Sequence, residues 1–190
     1  MSSSINRNFL DSTIKLFGYY KSLGEKTFSQ LSDKDIQWRP NNASNSIALI
    51  VHHLSGNMIS RWTDFLTSDG EKPWRDRDAE FETGYPDKAQ MIKAWEAGWK
   101  CLMGALNGLQ EEDLSKIVYI RNEGQTVVEV IHRQLAHYAS HIGQIMFIGK
   151  QIKDTDWTSL SIPKGATKAF NDEKFGKEKA IKHFTENLKK

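Results

Sequence analysis

Residues 126–146, TVVEVIHRQLAHYASHIGQIM, decide the fold class. Apolar side chains recur here at three- and four-residue steps: Val127, Val130, Ile131, Leu135, Tyr138, Ile142, Ile145 and Met146. That is the period of one helix face, not of a strand. Thr126 followed by Glu129 makes a T-x-x-E capping box, which places the helix start. The same stretch carries His132, His137 and His141. Imidazole is unusual in a soluble helix, and core packing, surface chance and metal binding are the candidate reasons.

Working outward, helical spacing covers most of the chain. Ile5, Phe9, Ile14, Phe17, Tyr20 and Leu23 predict a first helix. Residues 32–46, SDKDIQWRPNNASNS, read as a polar loop broken at Pro40. Ser46 can cap a second helix bearing Ile47, Ile50, Val51, Leu54, Met58 and Trp62. From Ser68 to Pro86 the chain is polar, and the expectation is one long connection. A third helix fits residues 86–106, with Met91, Trp95, Trp99, Leu102 and Leu106 in step, ending near Gly108. A short link leads to the fourth helix. In the lysine-rich tail only residues 178–190, EKAIKHFTENLKK, look helix-prone.

The expected fold is all-α: a four-helix bundle over residues 1–165, with a charged tail at 166–190, partly helical or disordered. Short links join antiparallel neighbours, and a long link between helices two and three permits a parallel crossover. The expected order is therefore up-down-down-up. Trp38, Trp62, Trp95 and Trp99 are expected to pack in the core rather than to hold a ligand.

Composition narrows the function. The chain has 190 residues, enough for one domain with a substantial core, with 38% hydrophobic and 26% charged residues. The formal net charge of +2 gives no reason to expect a nucleic-acid partner. No apolar run approaches the roughly 20 residues that span a bilayer, so no membrane partner is expected. MSSSINRNF lacks the apolar core of a signal peptide. The single cysteine, Cys101, excludes an internal disulfide. A cytoplasmic location is expected. Nothing around Cys101 marks an activated nucleophile, and a small buried apolar residue is the simpler reading.

His137 and His141 stand at i and i+4, so they share one helix face. That spacing lets two imidazoles reach one metal ion. On a helical wheel they share a strip with Val130 and Ile148, beside the main apolar stripe. The pair therefore faces the interior or a pocket, where neutral imidazoles need hydrogen-bond partners or a metal. His132 points away and reads as an edge residue. Helix two offers His52 and His53 as a third ligand. They lie about 100° apart on the helix, so one alone can join the pair, and periodicity does not choose between them.

Two stretches together, WRPNNASNSIALIVHHL (residues 38–54) and HRQLAHYASHIGQI (residues 132–145), resemble the DinB-like metal-binding four-helix bundles, the damage-inducible family rather than the polymerase of that name. DWTSLSIPKG (residues 156–165) resembles the C-terminal segment of one branch, and the likeness covers about residues 5–165. Aligning Ser46-Ile47 with the family's Ser-Ile start implies His53 as the ligand from helix two, joined by His137 and His141. The resemblance also implies a divalent cation, zinc or nickel, and a homodimer. Some relatives are thiol S-transferases that use bacillithiol, mycothiol or a similar low-molecular-weight thiol.

A three-histidine site leaves one coordination position open, and a thiol held there loses its proton and becomes nucleophilic. An enzyme of this kind needs no catalytic cysteine of its own. Asn57 and Gln144, one turn from His53 and His141, are candidates to orient the ligands. Arg121 and Glu123 could grip a carboxylated thiol or form a loop ion pair. The competing readings are a metal-binding sensor or interaction protein without catalysis, and a plain bundle with structural histidines.

Overall fold

Four long helices dominate the chain in the computed structural model, which describes residues 4–188. Residues 1–3 and 189–190, the two ends of the expected bundle domain and tail, lie outside the described residues. The elements are α1 (Ile5–Phe28), α2 (Ile47–Trp62), a single turn α3 (Ala79–Glu82), α4 (Lys88–Gly108), a hairpin of β1 (Ile117–Ile120) and β2 (Glu123–Thr126), α5 (Val127–Lys153) and α6 (Thr167–Phe175).

The helix starts are set by side-chain caps. Ser46 Oγ accepts the Leu49 N–H at 3.3 Å, and Asp87 Oδ1 accepts the Gln90 N–H at 2.8 Å. At α5 both halves of the capping box form: Glu129 N donates to Thr126 Oγ1, and Thr126 N donates to the Glu129 carboxylate. Each cap satisfies backbone donors that the first turn leaves free.

The core lies where α1, α2, α4 and α5 meet. Phe28 and Phe17 on α1 meet Trp95 and Trp99 on α4, with ring centroids 5.0 and 6.4 Å apart. Phe9 and Phe17 meet His132 and Tyr138 on α5. The α1–α4 approach depends on Gly24, where a Cβ would stand 2.6 Å from the Trp95 ring. Trp62, Trp95 and Trp99 are buried; Trp38 is 39% exposed, at the edge rather than within.

Three connections differ from the sequence reading. Residues 32–46 contain a 3-10 turn, Asp35–Gln37, which buries Ile36 completely. The connection between α2 and α4 is not featureless: it contains α3, and Glu80 within it is buried. The link before α5 forms the β1–β2 hairpin, with Ile120 paired to Glu123. Its two-residue turn, Arg121-Asn122, holds both residues at positive φ, 55° and 63°. Such a turn favours Asn-Gly or Asp-Gly, and an arginine at its first position gives no such signal. Here Asp69 secures it, accepting the backbone N–H of Arg121 and of Asn122, each at 2.9 Å.

The tail also differs. The helix falls on residues 167–175, and 178–183 are not helical. Phe184–Leu188 forms a 3-10 turn instead. It lies on α1, where Lys15 Nζ meets Glu186 Oε1 at 2.9 Å and Tyr19 meets the Phe184 ring edge-on. No helix among the described residues is long and apolar enough to cross a membrane.

Candidate metal centre

His53 on α2 and His137 and His141 on α5 converge. Their ligand atoms lie within 4.8 Å of one another. The Nε2 atoms of His53 and His137 are 3.2 Å apart, and those of His141 and His137 are 3.1 Å apart. Two imidazole nitrogens about 2.0–2.1 Å from one tetrahedral ion stand about 3.3 Å from each other. The spacing matches that arrangement.

The outer nitrogens show why the cluster suits a cation. His53 Nδ1 donates to Glu80 Oε2 at 3.0 Å, and an ionised carboxylate can only accept. His141 Nδ1 donates to Gln144 Oε1 at 2.9 Å. With those protons on Nδ1, neutral His53 and His141 each aim an Nε2 lone pair at His137. His137 Nε2 carries at most one proton, so it can answer only one of them. A cation at the centre meets all three lone pairs at once. The donor set of three neutral imidazoles fits a divalent ion, and these three residues can hold one.

Burial favours the neutral form of two of the rings, His137 and His141. His137 is pushed down to about 3, first by burial, then by the charges of His141, His53, Arg61 and Arg75. His141 is also lowered, by burial first, with the Gln144 hydrogen bond opposing. A ligand must be unprotonated to bind metal, so the fold prepares the site for binding.

The third element of the site is the long connection. Arg75 donates to both Glu80 oxygens, at 2.8 and 2.9 Å. All three side chains of the Arg75–Glu80–His53 series are about 95% buried or more. Burial pushes Glu80 up, but the hydrogen bonds from His53 and Arg75 and the Arg75 charge outweigh it, and the carboxyl stays below its ordinary range. A carboxylate on the far nitrogen of a metal-ligating histidine fixes its tautomer and raises its basicity. Phe81 stacks on the His53 ring at 4.7 Å and 29°.

Gly56 makes room for this carboxylate. A Cβ at that position would overlap the Glu80 side chain. Gly56→Ala is therefore expected to displace Glu80 and weaken metal affinity about 10–100-fold, the usual cost of losing such a partner. Competition for zinc against a chromophoric chelator measures it, and unchanged affinity would separate Glu80 from the metal centre.

The low His137 pKa has a consequence for metal-free protein. Between about 6.5, the unfolded value, and about 3 in the folded state, the unfolded chain binds a proton that the folded chain refuses. Stability falls as pH drops through this window. The denaturant midpoint of chelated protein is expected to fall between pH 7 and pH 5, above the carboxylate range. The fall should be smaller in His137→Ala, and an equal fall in both proteins would contradict the assignment.

The other sequence candidates are placed as follows. His52 points away from the cluster, with Nδ1 2.7 Å from the Thr83 carbonyl oxygen. His132 is exposed and packs edge-on against Phe9. The Asn57 Oδ1 accepts from Tyr138 OH at 3.0 Å, while the His53 ring nitrogens face Glu80 and His137. Arg121 pairs with Glu71, Nε to Oε2 at 3.1 Å, rather than with Glu123. Cys101 is half-buried, 3.5 Å from Thr63 Oγ1. Sequence reasoning missed Glu80 and Arg75, because an acid in a polar connection carries no periodic signal. A cavity of about 710 Å³ between the end of α1 and α6 holds none of the histidines.

Residues 4–166 match a family described as Protein of unknown function (DUF1572). The chain belongs to the DUF1572 family. The DUF1572 span contains the three histidines together with Arg75, Glu80 and Gln144, and it ends before α6. No curated protein and no solved structure matches the chain.

Proposed function

We propose that this protein is a divalent-metal enzyme of the DinB-like type, holding zinc or nickel on His53, His137 and His141. One observation carries the reading: the ligand atoms of three histidines lie within 4.8 Å of one another, with the His137 Nε2 3.1–3.2 Å from each of the other two, and two of the rings are fixed from behind by Glu80 and Gln144. The proposed reaction is transfer of a low-molecular-weight thiol, bacillithiol-like, to an electrophilic substrate.

The bundle topology belongs to the same reading. Contacts of α1 on α5 advance together, from Phe9–His132 to Phe17–Tyr138. Those of α1 on α4 run oppositely, Phe17–Trp99 and Phe28–Trp95. On α2, His53 meets His141 while Trp62 meets Tyr138, again opposed. Gly98 meets Ser55 and Cys101 meets Thr63, in parallel. These orders support an up-down-down-up bundle over residues 1–165, with 166–190 as an appended tail. Homodimerisation is part of the proposal, and sedimentation equilibrium tests it.

When bound, the cation supplies Lewis acidity, which generates a thiolate nucleophile at neutral pH. The protein's own residues do the positioning. Glu80 holds the His53 proton on Nδ1, Arg75 balances the Glu80 charge, and Gln144 fixes the His141 ring. Phe81 covers one face of His53 and keeps water from it. The open position expected with three protein ligands favours an enzyme over a structural site.

The test is turnover of monobromobimane or a chlorodinitrobenzene with a panel of small thiols, using zinc- and nickel-loaded protein. The expected result is metal-dependent conjugation that chelation removes. Metal bound at one ion per chain without turnover would favour the alternative, a non-catalytic metal-binding protein with the same bundle.

A further inference from the structure

Arg61, in the last turn of α2, is buried although it carries a charge. Its Nε and Nη1 have no hydrogen-bond partner among the described residues. Its Nη2 stands 3.7 Å from Glu71 Oε2, beyond hydrogen-bond range. A guanidinium grips a planar oxyanion with Nη2 and either Nε or Nη1, and neither edge of Arg61 makes such a pair with Glu71. Buried polar groups are nearly always bonded, and each exception calls for a water, an ion or a ligand.

The groups around Arg61 are committed elsewhere. Gly70 lies against it, where a Cβ would stand 3.2 Å from Nη1. The Gly70 N–H donates to the Tyr119 carbonyl, and its own carbonyl accepts from Ser60 Oγ, each at 2.8 Å. The Asp69 carboxylate accepts the backbone N–H groups of Glu71, Arg121 and Asn122. Burial first, then the charges of Arg75, Arg133 and Arg121, push the Arg61 pKa down, with Glu71 opposing. Glu71 itself is shared: Arg121 Nε and Nη2 each stand 3.1 Å from the same Oε2. Two guanidinium groups thus converge on one oxygen. The Arg121 and Glu71 side chains are 60% and 27% exposed, so the point of convergence is open to solvent. Arg121 also borders a depression of about 550 Å³, with Trp74, Arg75 and Arg77 and the carboxylates of Asp76 and Asp78.

We propose that Arg61 and Arg121 form a binding site for a small oxyanion, a carboxylate or phosphate group, and that Glu71 is an internal carboxylate which the ligand displaces. Glu71 serves Arg121 well and Arg61 poorly, whereas an oxyanion not tied to the backbone can bond both guanidinium groups. Arginine suits this role because its fixed fork of donors matches the geometry of carboxylate and phosphate. The assignment makes no use of the three histidines and stands or falls apart from the metal reading.

The experiment titrates the full-length protein with inorganic phosphate and with succinate, by calorimetry at fixed ionic strength. Wild type, Glu71→Gln and the double variant Arg61→Met with Glu71→Gln are compared. Glu71→Gln removes the competing charge, so it should bind one of the two anions at least ten-fold more tightly than wild type. The anion that shows the gain identifies the group as phosphate or carboxylate. The double variant should lose the gain. Its fold is expected to hold, because an apolar side chain in place of a buried charge is often neutral or stabilising. Should it not fold, Arg121→Ala with Glu71→Gln, changed at an exposed side chain, takes its place and should lose most of the gain. No gain for either anion in Glu71→Gln overturns the assignment and leaves ordered water as the partner of the buried nitrogens. A gain that survives the loss of Arg61 or of Arg121 comes from another site and overturns it equally.

Discussion

Glu80→Ala is expected to destabilise the metal-free protein by roughly 3–5 kcal/mol, the range for breaking a buried ion pair from one side. The cause is Arg75. Its guanidinium is buried and its two hydrogen bonds to Glu80 are the charge partners that hold it there. Without the carboxylate, Arg75 is a buried cation facing a histidine. For a chain of this size the loss corresponds to a fall in Tm of roughly 6–20 °C. Glu80→Gln should cost less, because the amide keeps an acceptor for one partner. Denaturant unfolding of chelated protein measures both. A loss within about 0.5 kcal/mol, the range of ordinary surface substitutions, would show that the buried series is not holding the connection between α2 and α4.

The second large effect concerns the ligands. His137 stands between the other two, with both Nε2 contacts made to it. His137→Ala leaves His53 and His141 without the shared neighbour, and two imidazoles make a weak site. Tight binding should be lost altogether. The fold should survive, because His137 is only half-buried and the core around it, Ile131, Tyr138 and Ile142, is untouched. His132→Ala removes an exposed ring from the same helix and should leave binding unchanged.

How much of this was legible in the sequence follows from which interactions are local. The long helices were, since burying one face imposes a period on the apolar residues. The α5 start was legible to the residue, because the capping box is a contact between positions three apart. The pairing of His137 with His141 was legible for the same reason. His53 over His52 was not decided by periodicity: the two stand on opposite shoulders of the apolar stripe, and only the resemblance favoured His53. Gln134 illustrates the limit of the wheel, since it is 3% exposed while Leu135, expected in the stripe, is half-buried.

The unread part of the site comes from long-range contacts. Glu80 reaches His53 across 27 residues of sequence, and nothing local marks it among the acids of that connection. Asp69 secures the Arg121-Asn122 turn from 52 residues away, so the hairpin could form without the residues that usually announce one. Arg61 is a further case. It is 7% exposed, its Nε and Nη1 have no hydrogen-bond partner among the described residues, and Glu71 stands 3.7 Å from its Nη2. Nothing local in the sequence marks its burial, yet its charge contributes to the low pKa of His137.

The central claim is that His53, His137 and His141 hold one divalent ion. Elemental mass spectrometry on untagged, desalted protein tests it most directly, with His53→Ala, His137→Ala and His132→Ala prepared alongside. The account predicts about one zinc or nickel per chain in wild type and in His132→Ala, and none in the other two. Stoichiometric metal retained by His137→Ala, or no metal in wild type even after reconstitution with zinc or nickel, would contradict it.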